Sequence, residues 1–271
     1  MKEAEDCFLK VRNKYFTFLK KEKIYSQSKK NKIDNLRKFY IPLSFWINNK
    51  INKKKKTLFL GFSGGQGAGK TTATDILKII LSNYFKKKVQ VISIDDFYKT
   101  LKDRNKMSEK IHILFKTRGV PGTHDTNLIK KFFHLINKKK FKKFKTPKFS
   151  KEIDDRLPRK SWFSINQKPD IVILEGWCVG AKTQSNSLIR RPVNNLEKYE
   201  DKSLVWRKYV NEKLKTEYKK IFIMIDHFIF MKVPDFKMVF KWRLLQEEKL
   251  KKKSNFHKKI MSYNQIKRFI M

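Results

Sequence analysis

The sequence predicts an α/β fold in which a parallel sheet is flanked by helices. Helical stretches separate four short apolar runs, each typical of a buried strand: 57–62, 89–94, 170–174 and 221–226. Strands that alternate with helices pair in parallel through right-handed crossovers. The chain has 271 residues, 40% of them hydrophobic, enough for one large domain or two small ones. Residues 1–52 are predicted to be a helical segment packed on the core, and 53–271 the domain that contains the sheet.

A glycine-rich loop follows the first predicted strand. Residues 61–72 read GFSGGQGAGKTT, and from Gly64 to Thr71 they fit the pattern G-x-x-x-x-G-K-[ST]. A helix is predicted at once after it, over 69–84, with its apolar residues on one stripe. Strand, loop and helix in this order predict a phosphate-binding loop (P-loop).

The chemistry of such a loop assigns roles to its residues. Glycines let the backbone turn tightly and point N–H groups inward, and the helix N-terminus adds partial positive charge. Lys70 is then placed to reach the β- and γ-phosphates of a nucleotide, and the Thr71 hydroxyl to bind Mg²⁺. The residues predicted to bind the nucleotide are Gly64, Gly65, Gln66, Gly67, Ala68, Gly69, Lys70, Thr71 and Thr72.

Acidic residues follow the other three predicted strands. Asp95 and Asp96 come after the second strand, Glu175 after the third and Asp226 at the end of the fourth. Because parallel sheets bind ligands at the carboxyl ends of their strands, we expect these side chains to meet the loop at one edge. Asp95 is assigned as the catalytic base that accepts a proton from a substrate hydroxyl. Asp96 is assigned to capping, metal support or substrate contact, and Glu175 to Mg²⁺, directly or through water.

An insertion at about 100–165 supplies further candidates for substrate contact. Arg118, in RGVPGTHD, and Arg156, in DDR, could clamp a carboxylate or phosphate through bidentate hydrogen bonds. The other candidates for substrate contact are Tyr98, Thr123, His124 and Asp125. For His124, a structural role in a turn stays open as the alternative.

A lid region is predicted at about 232–262, where FKMVFKWRLLQEEKL forms an amphipathic stretch. Arg243 in this stretch could lie over the nucleotide phosphates, or it could be an ordinary solvated cation of a helix. Closure of a lid would keep water away from the phosphoryl group.

The composition is extremely basic, with 66 Lys and Arg against 25 Asp and Glu and a formal net charge of +41. Basic runs with interleaved aromatic residues, such as KKKFKKFK at 138–145, can bind nucleic acid. Because the excess is spread along the whole chain, we favour a Lys-rich solvated surface and do not expect a nucleic-acid partner. The same surface would steer anionic small-molecule substrates toward the protein.

Compartment and membrane contact are predicted from three features. The only cysteines, Cys7 and Cys178, are far apart, which excludes a disulfide framework and a metal-binding spacing. The N-terminus MKEAEDCFLK lacks an apolar leader. The most apolar run, 221–231, is too short to span a bilayer. We therefore expect a cytoplasmic protein without membrane contact, and the oligomeric state stays open.

Several motifs resemble one family across most of the chain. They are YIPLSFWI (40–47), GFSGGQGAGKTT, SIDDFYKT (93–100), RGVPGTHD, DDRLPRKSW (154–162), VILEGWCVGAKTQ (172–184), VNNLEKYED (193–201), WRKYVNEKL (206–214) and PDFKMVFKWRLLQEEKL (234–250). The chain resembles the D-glycerate 3-kinase group of P-loop kinases, which is related to uridine kinase, pantothenate kinase and phosphoribulokinase. The resemblance implies ATP, Mg²⁺ and a small hydroxylated substrate, with 3-phospho-D-glycerate as the product if that substrate is glycerate.

The resemblance also implies residue roles. By position, Asp95 matches the base of the wider kinase group, Lys70 and Thr71 its phosphate and metal residues, and Glu175 its Walker B acid. Relatives continue past the segment that resembles 261–270 to a final strand, which this chain is expected to lack. Three alternatives stay open: a kinase of the same fold that acts on uridine, another nucleoside or pantothenate; a nucleic-acid-binding P-loop protein; and an inactive relative.

Overall fold

The structure is a computed structural model that describes residues 2–25, 27–54, 56–253 and 262–270. Its α-helices are α1 (Lys2–Lys21), α2 (Lys29–Asn35), α3 (Ile41–Lys54), α4 (Lys70–Asn83), α5 (Leu101–Lys110), α6 (Thr126–Asn137), α7 (Asn186–Arg190), α8 (Asn195–Glu200), α9 (Val205–Lys213), α10 (Lys219–Phe222), α11 (Phe236–Lys253) and α12 (Tyr263–Ile270). Its strands are β1 (Leu58–Gly64), β2 (Val89–Ser93), β3 (Phe144–Thr146), β4 (Phe149–Ser150), β5 (Asp155–Arg156), β6 (Phe163–Ile165), β7 (Ile171–Gly176) and β8 (His227–Met231). Short π-helical segments join α2 to α3 (Leu36–Tyr40) and α9 to α10 (Leu214–Tyr218).

Four parallel strands form the central sheet in the order β2-β7-β1-β8. The register places Glu175 of β7 beside Phe62 of β1 and Ser93 of β2, so these three strands end almost level. Every residue of β1 and β7 is buried, as is usual for parallel strands covered by helices on both faces. The α/β fold predicted from alternating strands and helices is confirmed.

Successive strand residues point into two different apolar layers. Leu60 and Ile173 pack with α3 and α4 on one face of the sheet. Phe59 and Val172 pack with α6 and α10 on the other, where the Phe59 ring stacks on Phe133 with centroids 4.8 Å apart. This alternation is the period of two that β-strands impose on their side chains.

The amino-terminal helices extend the α4 side of the molecule. The apolar stripe of α1 packs on α4, where Val11 and Tyr15 share a cluster with Ile76 and Ile80. The Tyr15 hydroxyl also donates to the Lys32 carbonyl at 3.0 Å, which ties α1 to α2. These helices therefore support the helix that begins at the P-loop.

The insertion between β2 and β7 contains α5, α6 and two short antiparallel pairs, β3–β6 and β4–β5. Arg104 of α5 is fully buried and donates to the carbonyl oxygens of Lys116 (2.7 Å) and Asp154 (2.5 Å). It also pairs with the Asp154 carboxylate at 3.1 Å. Because a buried cation needs such partners to offset its lost hydration, these contacts fix the β4–β5 turn to α5.

The prediction of a fourth strand over 221–226 is wrong. These residues complete α10 and form a turn, and the strand that follows is β8. A short, wholly apolar run is compatible with a buried helix as well as a buried strand, so its pattern alone does not separate the two. None of the helices within the described ranges is long and apolar enough to cross a membrane.

The corrected strand changes the place of Asp226. It precedes β8 and lies at the amino edge of the sheet, opposite the edge that carries the P-loop. Its N–H donates to the Phe59 carbonyl, and its carboxylate accepts from the Phe59 N–H, both at 2.8 Å. Lys54 at the end of α3 pairs with the same carboxylate. Asp226 thus joins the start of β8 to β1 and has a structural role.

Helix α11, in the predicted lid region, packs directly on the P-loop. A Cβ atom on Gly67 would lie 2.7 Å from the Cβ atom of Trp242. Helix α12 packs on α11 through the Phe240 and Tyr263 rings, whose centroids are 5.0 Å apart. The rest of the predicted lid, 254–261, and Met271 lie outside the described residues.

Replacing Asp226 tests its structural role. We expect Asp226→Ala to lower the free energy of unfolding by about 1 kcal/mol, because the Phe59 N–H loses its acceptor at a partly exposed site. The KM for ATP should not change. Denaturant titration and steady-state kinetics of the variant check both points, and a raised KM at unchanged stability would instead return Asp226 to the active site.

Candidate active site

The P-loop has the backbone shape that a phosphate site requires. Gly67 and Gly69 have φ angles of +74° and +85°, which residues with a Cβ atom rarely adopt. Gly69 is the N-cap of α4, so the loop ends at the positive end of a helix dipole. The loop and the helix together therefore fit the phosphate groups of ATP.

Lys70, Thr71 and Glu175 come together at the head of α4. The Lys70 ammonium donates to the Gly65 carbonyl at 2.9 Å, and burial lowers the pKa of Lys70, against the charges of Glu175 and Asp95. The Thr71 hydroxyl lies 2.9 and 3.2 Å from the two Glu175 carboxylate oxygens. Burial raises the pKa of Glu175, and Thr71 and Lys70 oppose the rise. A hydroxyl and a carboxylate side by side form an oxygen donor set that suits Mg²⁺.

Asp95 lies one short turn beyond β2, in a 3₁₀ segment capped by Ser93. Its Oδ2 is 2.7 Å from the Lys151 ammonium. Burial opposes ionisation of Asp95, but Lys151, His124 and Tyr98 together outweigh it, so the pKa of Asp95 is lowered. Asp95 is therefore a carboxylate at neutral pH and can accept a proton.

The neighbouring Asp96 has a different task. Its Oδ1 accepts the Phe149 N–H of β4 at 3.2 Å. Burial raises the pKa of Asp96 to about 6, although the hydrogen bond from Phe149 opposes the rise. Asp96 thus supports the β4–β5 pair and does not line the cleft that contains Asp95.

The cleft has a volume of about 230 Å³ and is lined by residues from five parts of the chain. Its walls are Gln66, Gly67, Gly69, Lys70, Thr71, Thr72, Ser93, Asp95, Tyr98, Arg118, Lys151, Glu175, Gly176, Trp177 and Arg243. The P-loop, the β2 end, the β7 end, the insertion and α11 all contribute. Most of the predicted nucleotide and catalytic residues are therefore brought together.

The two predicted arginines in the cleft are both held by carboxylates. Arg118 pairs with Asp154 in the β4–β5 turn. Arg243 pairs with Glu247 one turn along α11, and burial lowers the pKa of Arg243. Each carboxylate holds its arginine in place, and the two cations reach the cleft from different elements, Arg118 from the insertion and Arg243 from α11.

Four predicted acceptor contacts lie behind the cleft wall. Thr123 is buried and donates to the Val120 carbonyl at 2.7 Å. Asp125 caps α6 through the Leu128 N–H at 3.1 Å. Arg156 donates to the Tyr98 carbonyl at 2.7 Å and pairs with Asp125 at 3.3 Å. None of these side chains is among those that line the described cleft.

The fourth of these residues, His124, is fully buried. Its Nδ1 lies 2.6 Å from the Tyr218 hydroxyl, which also accepts the Gly122 N–H at 3.0 Å. Its ring stacks on Tyr98 with centroids 4.3 Å apart. The RGVPGTHD motif therefore forms a loop that places Arg118 at the cleft and packs His124 against Tyr98. The contacts of His124 are those of the structural role that the sequence left open as its alternative.

Sequence reasoning missed four residues of the cleft: Ser93, Lys151, Gly176 and Trp177. Trp177 comes directly after Gly176, the last residue of β7, so its place at a strand end was a usable signal. Its indole N–H donates to the Gly119 carbonyl at 3.0 Å. Lys151 carries no local signal, because the chain around it is rich in lysine.

A second, mainly apolar cavity of about 590 Å³ adjoins the cleft. The two share Gln66, Arg118 and Trp177. The apolar walls of the second cavity include Leu114, Val120, Leu196, Trp206, Phe236 and Val239. A bulky group bound there would lie next to the phosphate site.

Known proteins share this sequence pattern. The chloroplastic D-glycerate 3-kinase of Arabidopsis thaliana is 29% identical over 226 residues, which make up 77% of this chain and 47% of that protein. The chain thus spans about half the length of that relative. A Saccharomyces cerevisiae protein named as a probable ATP-dependent kinase is 32% identical over 230 residues, 78% of this chain and 72% of that protein.

A solved structure shares the fold. The D-glycerate 3-kinase of Cryptococcus neoformans matches with a TM-score of 0.71 and 24% identity, over 86% of this chain and 84% of that chain. This likeness confirms the predicted P-loop kinase fold. No family model matches the chain.

The pH dependence of stability tests the environment of His124. Burial, opposed by the charge of Asp95, lowers the pKa of His124 from its usual 6.5 to about 4. The unfolded chain therefore binds a proton below pH 6.5 that the folded chain excludes until about pH 4, so stability falls as the pH drops through this window. Lowering the pH from 7 to 5 should cost about 2 kcal/mol of unfolding free energy through this residue.

Denaturant titrations of the wild type and His124→Asn at both pH values isolate that contribution. The variant is less stable at pH 7, but its loss between pH 7 and 5 should be about 2 kcal/mol smaller. Equal losses in the two proteins would show that His124 is protonated in the folded state.

Proposed function

Because the chain belongs to the D-glycerate 3-kinase-like family of P-loop kinases, we propose that it transfers the γ-phosphoryl group of ATP to a hydroxyl of D-glycerate, giving 3-phospho-D-glycerate. One observation carries the proposal: Asp95, an ionised carboxylate, shares one cleft with Lys70, Thr71 and Glu175. Phosphoryl transfer needs this combination of a phosphate cradle, a metal site and a group that orients the nucleophile.

The proposed reaction uses the residues in fixed roles. Asp95 accepts the proton of the acceptor hydroxyl as the hydroxyl oxygen forms a bond to the γ-phosphorus. The bond from that phosphorus to the oxygen bridging to the β-phosphate breaks, and ADP leaves with the electron pair. Lys70 supplies positive charge beside the transferring group. Thr71 and Glu175 would hold Mg²⁺, which neutralises phosphate charge when bound.

Two further features suit a small anionic acceptor and a closed site. Arg118 faces the cleft from the insertion and offers a cation to a carboxylate. Helix α11 covers the P-loop through Trp242 and brings Arg243 to the cleft. A covered cleft keeps water from competing with the acceptor hydroxyl.

A kinase with a bulkier acceptor is the second candidate, and the cavity of about 590 Å³ favours it. D-glycerate would leave this cavity unused, whereas a nucleoside or pantothenate has a body that could occupy it. Trp177 and Trp206 would supply aromatic surface for such a body.

The cysteines support a reducing compartment. Cys7 and Cys178 are free and buried in separate apolar clusters. Burial raises the pKa of the Cys178 thiol to about 12, so it stays protonated at neutral pH. We therefore propose a cytoplasmic location, where free thiols persist.

The experiment that tests the proposal measures ADP release from Mg-ATP with D-glycerate, L-glycerate, uridine and pantothenate offered separately. We expect release to depend on D-glycerate. Release with pantothenate or uridine only would favour the second candidate, and no release with any acceptor would overturn both assignments of substrate.

Asp95→Asn tests the assignment of the base. The variant should bind ATP as the wild type does, but its kcat should fall by about 100-fold or more because the general base is lost. Asp96→Asn is the matched control, since it changes the adjacent carboxylate, which holds β4 outside the cleft. A kcat for Asp95→Asn no lower than that for Asp96→Asn would show that Asp95 is not the base.

A further inference from the structure

Four cations line the described cleft, and each already has a partner. Lys70 is held by a P-loop carbonyl, Arg118 by Asp154 and Arg243 by Glu247. Lys151 differs from these three because its partner is Asp95, the proposed base. The same carboxylate thus has to serve Lys151 and the acceptor hydroxyl.

The backbone around Lys151 is held in place, whereas its side chain is largely exposed. Lys151 follows β4, whose Phe149 N–H is held by Asp96 at 3.2 Å. At the end of the turn, Asp154 pairs with the buried Arg104 at 3.1 Å, and Asp155 of β5 accepts the Leu101 N–H at 2.9 Å. The Lys151 side chain is nevertheless 64% exposed, so the ammonium can move while its backbone stays in place.

Acceptor binding changes the partners of Lys151. A hydroxyl that donates to Asp95 has to share a carboxylate whose Oδ2 contacts the Lys151 ammonium at 2.7 Å and which also accepts from the Tyr98 hydroxyl. Water can solvate the exposed ammonium once it leaves Asp95, but a second anion in the cleft gives it a stronger, charge-assisted partner. An acceptor whose own carboxylate lies close to the reacting hydroxyl supplies that anion at the right place.

We propose that Lys151 forms a carboxylate-binding subsite that selects small hydroxy acids: it leaves Asp95 when the acceptor binds and pairs with the acceptor carboxylate. This inference rests on the proposed kinase function and deepens it. The subsite suits a carboxylate only a few bonds from the phosphorylated hydroxyl, as in glycerate. A nucleoside has no carboxylate, and the carboxylate of pantothenate lies at the far end of the molecule.

The subsite has a second consequence for catalysis. Without a carboxylate acceptor, Lys151 stays on Asp95 and keeps the base from activating water. The lysine therefore links recognition of the acceptor to exposure of the base, and acceptor-independent ATP hydrolysis stays low.

Lys151→Met tests the subsite, with Lys148→Met as the matched control. Lys148 lies on the same segment, but its ammonium is over the Phe163 ring at 5.1 Å and is not among the groups that line the cleft. The KM for D-glycerate should rise about 10- to 100-fold in Lys151→Met, the usual range for loss of a charge-assisted hydrogen bond. The KM for ATP should stay unchanged, and Lys151→Arg should recover part of the loss.

Glycerol, which has the hydroxyls of glycerate without its carboxylate, separates recognition from a structural defect. Lys151→Met should phosphorylate glycerol at least as well as the wild type, and its acceptor-independent ATP hydrolysis should increase. A parallel loss with glycerol and D-glycerate, or equal KM values in Lys151→Met and Lys148→Met, would overturn the subsite.

A binding measurement keeps the subsite testable if no acceptor is phosphorylated, which would contradict the proposed function alone. Calorimetric titration of D-glycerate into the wild type and Lys151→Met with a non-hydrolysable ATP analogue serves this purpose. Binding that weakens at least about tenfold in the variant supports the subsite, and absent or equal binding overturns it.

Discussion

The pairing of Glu175 with Phe62 on one side and Ser93 on the other sets the level at which three strands end. Side chains alternate between the two faces of a strand, so a slip of one residue would turn Glu175 away from the α4 face and from Thr71. Both β1 and β7 are buried along their whole length, which specifies their register strongly. The P-loop and the Asp95 turn both start from this edge, so the geometry of the cleft follows from strand pairing.

Adjacent residues acquire different chemistry from the insertion that packs on this edge. Both carboxyls are buried, but Asp95 receives a cation and its pKa falls, whereas burial raises the pKa of Asp96 to about 6 because a single backbone N–H does not offset it. Both partners, Lys151 and Phe149, come from one short segment. When neighbouring carboxylates have their pKa values pushed in opposite directions, their environment divides the roles of base and support between them. The segment is fixed in turn by Arg104, whose full burial leaves it no freedom to move away.

Local patterns were sufficient to place residues whose position in the fold depends on neighbours in the sequence. The P-loop, Glu175 and Asp95 were predictable because a strand end, a loop and a helix start follow one another along the chain. The strand at 221–226 was misassigned because these residues are apolar for burial alone. A buried helix end and a buried strand both need such a run, so the pattern did not distinguish them. Lys151 was invisible for another reason: its contact with Asp95 joins segments that only the folded insertion brings together. His124, conversely, was predicted to contact the substrate, but its ring nitrogen forms a hydrogen bond with the Tyr218 hydroxyl inside the protein.

The net charge of +41 and the charges of the cleft act over different distances. Screening in physiological salt limits exposed charges to a range of about 8 Å, so most surface lysines influence encounter with anions more than their recognition. Recognition depends on how firmly each cation in the cleft is already held. A cation with a permanent partner contributes a constant field, as Arg118 does beside Asp154. Lys151 is held by Asp95, the carboxylate that the proposed reaction must free. Binding of an anion at this lysine and exposure of the base therefore become a single event, which uniform basic charge on the surface could not produce.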